Sequence, residues 1–114
     1  MIVYGLKTCD SCRKARAALK AAGHPAELRD LREIPLSPAE IARFLTAFGN
    51  TLVNHRSTTW RALPEAERAK DPTALLAAHP ALMKRPVIEV DGRLYLGWDC
   101  AVQEELLGKA APGA

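Results

Sequence analysis

Apolar and polar positions alternate in short blocks along the chain, and each block predicts an element. Ile2 to Tyr4 is an apolar run closed by Gly5, the pattern of a short buried strand. Lys7-Thr8-Cys9 reads as a loop, and residues 10–22 are strong helix formers. Ala15, Ala18, Leu19 and Ala22 recur at i, i+3, i+4 and i+7, which places them on one helical face. Gly23 stops that helix, Pro25 follows it, and residues 26–30 form a second strand candidate. The opening is therefore strand, loop, helix, strand, the pattern of a right-handed βαβ unit.

Ser37-Pro38-Ala39-Glu40 is a capping box with proline at the first helical position. The helix it opens carries Ile41, Phe44, Leu45 and Phe48 on one face and ends at Gly49. Residues 50–59 are polar and carry no clear period. Pro64 and Asp71-Pro72 each start a further helix, the second burying Leu75, Leu76 and Leu82. Residues 86–90 predict a strand, Asp91-Gly92 a hairpin turn, and residues 93–96 the return strand. Asp99 caps a last helix bearing Val102, Leu106 and Leu107, and residues 108–114 read as a disordered tail. This order predicts an α/β class with a thioredoxin-like fold. A central mixed four-stranded sheet carries a helical insertion, at about 37–83, between an N-terminal βαβ unit and a C-terminal ββα unit. The whole of 1–114 is expected to form one domain.

Length and composition narrow the function. A chain of 114 residues suits one domain, and its 48% hydrophobic and 25% charged fractions are those of an ordinary globular protein. No apolar run approaches the ~20 residues of a membrane span, so no membrane partner is expected. The N-terminus lacks the basic start and long apolar region of a signal peptide, which points to a cytoplasmic location. A net charge of +3 is too mild to mark a nucleic-acid binder, and two Trp, two Tyr and two Phe offer few stacking platforms. No direct nucleic-acid contact is expected. Basic residues nevertheless crowd one segment, with Lys7, Arg13, Lys14, Arg16 and Lys20 opposed by Asp10 alone.

The chain has three cysteines, two of them as Cys9-Asp10-Ser11-Cys12 and the third as Cys100. A single C-x-x-C reads as a redox pair, as half of a zinc site, or as two small buried residues. Zinc needs four ligands, and no second C-x-x-C or H-x-x-x-H exists among the rest, so no metal is expected. Cys9 sits where a loop enters a helix. A thiolate there meets free backbone N–H groups, the positive end of the helix dipole and several cations. Cys9 is accordingly the expected nucleophile and Cys12, one turn on, the expected resolving thiol. The segment from Asn54 to Arg61 sets Arg56 beside Ser57, Thr58 and Thr59, which suits an oxyanion loop or a solvated helix cap. Lys84-Arg85-Pro86 lies directly before a strand, where a thioredoxin-like fold places a cis proline facing its redox cysteine.

Taken together, Tyr4-Gly5-x-x-x-Cys9-x-x-Cys12-Arg13-Lys14-Ala15, Asn54-x-Arg56-Ser57-Thr58-Thr59-Trp60-Arg61 and Lys84-Arg85-Pro86-Val87 resemble the arsenate reductase-like family. This is its glutaredoxin-coupled branch, which also contains the Spx regulators, and the resemblance spans about residues 2–107. It implies that Cys9 is the catalytic thiol, with Arg13 matching the Arg of the family's C-x-x-S-R run. Arg56 and Arg85 match oxyanion-binding arginines and would converge near the Cys9 sulfur. Trp98 stands where the reductases have a third Arg, Cys12 where they have Ser, and Gly5 where they have His. The resemblance implies a redox-active disulfide, no bound cofactor, glutathione as co-substrate, and glutathione, glutaredoxin or thioredoxin as reductant. The substrate would be a small anion such as arsenate or a glutathione-type disulfide. The alternative it implies is an Spx-like redox-sensing regulator that binds RNA polymerase.

Overall fold

The computed structural model describes residues 1–108; the tail assigned to 108–114 lies, beyond Gly108, outside the described residues. The chain divides into two compact units, residues 1–34 with 85 onward, and residues 35–84.

The first unit is a four-stranded mixed sheet with two helices. β1 (Ile2–Gly5), α1 (Asp10–Ala21) and β2 (Glu27–Asp30) come first, and β3 (Val87–Val90), β4 (Arg93–Leu96) and α6 (Cys100–Gln103) close the unit. The strand order is β2-β1-β3-β4. β1 runs parallel to β2 and antiparallel to β3, and β3 and β4 are antiparallel. This is the expected thioredoxin-like α/β architecture. The hairpin turns at Asp91 and Gly92, with φ of 49° and 82°. Positive φ at both positions matches the right-handed twist of the two strands, which is why Asp-Gly is favoured there. Asp99 Oδ1 accepts the Val102 N–H at 3.0 Å and so caps α6 as expected. The α-helical stretch is shorter than the apolar pattern suggests, because it passes into a π-type turn over Glu104–Gly108. Val102 and Leu106 are both buried even so.

Val3, Ala15, Leu19, Ile88, Val102 and Leu106 form the core of this unit, with Leu28, Tyr95 and Trp98 packed against it. The valine, leucine and isoleucine side chains among them each contribute about 1.5–3 kcal/mol through burial. The buried stripe of α1 is Cys12, Ala15 and Leu19, at i, i+3 and i+7. The C-x-x-C motif therefore feeds its second thiol directly into the core.

The second unit is helical. It holds α2 (Pro38–Phe48), α3 (Thr58–Ala62), α4 (Glu65–Arg68) and α5 (Pro72–Ala78), with 3-10 turns at Gly49–Leu52 and Pro80–Leu82. The capping box of α2 is complete. Ser37 Oγ accepts the Glu40 N–H at 3.1 Å, and Glu40 Oε1 accepts the Ser37 N–H at 2.9 Å. α2 packs on α5, and Ile41, Phe44, Leu75 and Leu76 are buried. Leu82, expected on α5, is buried from a separate turn. The reason is Pro80, which pushes His79 out of the helical region to φ −131°, ψ 76° and ends the helix.

Candidate functional site

The two parallel strands set the site. β1 and β2 pair with Gly5 opposite Asp30, so both strands end at the same edge of the sheet. The chain leaves Gly5 through Leu6-Lys7-Thr8 and enters α1 at Cys9. Cys9 is the residue before the first helical turn, with extended backbone, and its N–H donates to the Leu6 carbonyl at 3.1 Å. Its side chain is half-buried and makes no capping hydrogen bond, so the first-turn N–H groups of α1 are not capped by it.

Cys12 lies one turn on and is fully buried, with 0% of its surface exposed. Burial pushes its thiol up to about 12. The Leu6 backbone opposes this rise, and the neighbouring Cys9 sulfur adds to it as a hydrogen-bond partner and a like charge. Arg85 pulls weakly the other way. At neutral pH Cys12 is therefore a protonated thiol beside Cys9. Both are free cysteines here, as is Cys100, which is exposed.

Asp30 holds the loop that delivers Cys9. Its carboxylate is buried, 7% exposed, and accepts the Lys7 N–H at 3.2 Å and the Arg32 N–H at 2.8 Å. The Arg32 N–H is the main reason its carboxyl is held below the usual range, and the Lys7 N–H and ammonium act in the same direction. The Lys7 side chain is tied separately to Glu33 at 2.7 Å. The sequence reading missed Asp30. Its signal was a carboxylate closing a strand parallel to the strand that carries the cysteine loop.

The other site residues divide. Arg85 is half-buried and joined to a buried Pro86 by a cis peptide bond. The Pro86 carbonyl accepts the Gly97 N–H at 2.7 Å, which ties this segment to the turn carrying Trp98. Trp98 packs against the core of the first unit, and its carbonyl accepts the Gln103 side-chain amide at 3.0 Å. Arg13 is exposed on α1, where its guanidinium pairs with Asp10. Cys9 and Cys12 are thus brought together, with Arg85 near enough to act weakly on Cys12, while Arg13 pairs with Asp10 on the same helix.

Arg56 lies in the helical unit and is exposed. Its backbone N–H donates to Asn54 Oδ1 at 3.1 Å. Ser57 caps α3, its Oγ accepting the Trp60 N–H at 3.1 Å and donating to the Asn54 carbonyl at 2.9 Å. One of the three hydroxyls beside Arg56 is thereby spent on the backbone. Among the described residues, no cluster of three or more His, Cys, Asp or Glu could hold a metal ion, and no helix is long and apolar enough to cross a membrane.

Comparison with known proteins places this geometry. A model of the ArsC family matches residues 4–106. An uncharacterised protein of Haemophilus influenzae is 39% identical over 102 residues, covering 85% of this chain and 90% of that one. The global transcriptional regulator Spx of Bacillus subtilis is 34% identical over 103 residues, covering 85% and 79%. The solution structure of an arsenate reductase (ArsC) related protein from Brucella melitensis is 36% identical, covers 91% of each chain and superimposes with a TM-score of 0.73. With the match running from Tyr4 through the cysteine pair and the cis proline to Leu106, this chain belongs to the ArsC family, a thiol oxidoreductase family of thioredoxin-like fold.

Proposed function

We propose that this protein is a thiol–disulfide oxidoreductase in which Cys9 attacks and Cys12 resolves. The observation that carries the reading is the asymmetry of the pair. One sulfur is half-exposed at a helix N-terminus, and the other is a buried, protonated thiol beside it. With a glutathione-type disulfide, the Cys9 thiolate forms a bond to one sulfur and expels the other as glutathione thiolate, which takes up a proton. Cys12 then attacks the Cys9 sulfur, closing the Cys9–Cys12 disulfide and expelling the second glutathione as a thiolate, which takes up the proton that Cys12 loses. The protein dithiol is oxidised by two electrons and the disulfide is reduced. A reductant other than the glutathione just released, glutaredoxin or thioredoxin, returns the protein to its dithiol. No bound cofactor is needed.

Arg56 and Arg85 are the proposed anion-binding residues, suited to a glutathione carboxylate or to arsenate. Trp98 replaces a third cation, so arsenate turnover is expected to be weak beside thiol–disulfide exchange. A coupled assay following NADPH, with glutathione and glutaredoxin and with or without arsenate, tests the reading. Turnover that depends on Cys9 supports it. Arg56→Ala and Arg85→Ala should each reduce the protection that sulfate or arsenate gives Cys9 against alkylation.

The Spx relatives and their shared family support a second reading, a redox-sensing regulator that binds RNA polymerase. Capture of polymerase that changes with the Cys9–Cys12 redox state, together with no NADPH consumption, would favour it over the enzyme.

A further inference from the structure

We infer that Gly5 is a positioning residue for Cys12: the space that a side chain at position 5 would fill is the space that the Cys12 sulfur occupies. This rests on the proposed role of Cys12 as the resolving thiol. A Cβ built on Gly5 would stand 2.2 Å from Cys12 Sγ and 3.4 Å from Cys12 Cβ. Ordinary contact between such atoms is about 3.5–4 Å, so the overlap with sulfur exceeds one ångström while the contact with Cβ is nearly normal. Gly5 is itself buried at the end of β1, and its backbone is anchored there, its carbonyl accepting the Leu31 N–H at 2.9 Å.

The thiol has little freedom to retreat. The Cys12 side chain has three staggered χ1 rotamers, and a side chain at position 5 would deny it the one seen here. The others must find room in a close-packed interior. Glycine at the end of β1 therefore does not serve backbone freedom, since among the described residues the positive-φ glycines are Gly23, Gly49, Gly92 and Gly97 and not Gly5. It leaves a notch that sets the Cys12 sulfur against the Leu6 backbone and beside Cys9. Displacing a reacting atom by about 1 Å can cost about 10²-fold in rate, so closure of the Cys9–Cys12 bond should slow by about that factor once the notch is filled.

Two readouts test this on the full chain. The first is a stability cycle by urea unfolding of the reduced protein. Gly5→Ala should lower the unfolding midpoint of the wild type and lower it much less in the C12A background, where no sulfur remains to collide. Equal shifts in both backgrounds would overturn the inference. The second is rapid mixing with oxidised glutathione followed by mass spectrometry. Wild type should pass quickly through the Cys9–glutathione mixed disulfide to the internal disulfide. G5A should form the mixed disulfide at an unchanged rate and accumulate it, as C12A does. Closure in G5A at the wild-type rate would overturn the positioning role. A wild type that never closes would instead overturn the proposed oxidoreductase mechanism, while the stability cycle still decides whether sulfur fills the notch.

Discussion

Raising the pH should destabilise this protein through Cys12. The thiol has an ordinary value of 9.0 and is pushed up to about 12 in the folded chain, chiefly by burial. Below pH 9 the group is protonated in both states and contributes nothing to the pH dependence. Above it, the unfolded chain releases the proton while the folded chain keeps it, so stability falls as pH rises toward 12. The slope approaches about 1.4 kcal/mol per pH unit for one group. Integrated from pH 7 to pH 10, the loss is about 1.4 kcal/mol. Against a typical stability of about 5–15 kcal/mol for a small domain, this is a readily measured fraction. Lysines and tyrosines also titrate above pH 9, so the quantity to measure is a difference. Urea unfolding at pH 7.5 and pH 10, with a non-thiol reductant, would be compared for wild type and Cys12→Ala. The variant loses some packing at every pH, but it should lose less of its remaining stability on going to pH 10. Parallel losses in the two proteins would refute the argument that a buried, protonated thiol lies at this position.

Three further outcomes are expected. Iodoacetamide at pH 7 should label Cys9 in the folded protein and leave Cys12 unlabelled until urea is added; early labelling of Cys12, read by peptide mapping, would contradict its burial. Asp30→Asn should flatten the acid side of the stability curve. The Asp30 carboxyl is held low by backbone N–H groups, so its contribution is present above its ordinary value of 3.8 and lost as pH falls through the lowered one. An unchanged acid profile would remove Asp30 as an anchor of the Cys9 loop. Ser37→Ala breaks the capping box of α2 and should cost about 1 kcal/mol in denaturant unfolding, with Cys9 reactivity unchanged.

Local signals in the sequence carried most of the secondary structure. Gly23, the Ser37-Glu40 box, Asp91-Gly92 and Asp99 each act through their own neighbours, so their effect can be read without knowing the fold. The cysteine pair was legible for the same reason, since its place at a loop–helix junction follows from nearby residues. The stripe Cys12, Ala15 and Leu19 also follows from spacing. At the ends of α5 and α6 a pre-proline residue and a π-type turn override helical periodicity. Other features depend on residues distant in the chain. Asp30 became a loop anchor because β1 and β2 pair in parallel with their ends aligned. Gly5 became a notch because the same edge brings its Cα under the Cys12 sulfur. Arg13 carries the charge of an anion ligand, and in the folded helix its exposed guanidinium pairs with Asp10 one turn before it. Charge and residue type are properties of the sequence; which groups lie within a few ångströms of each other is decided by strand pairing and packing.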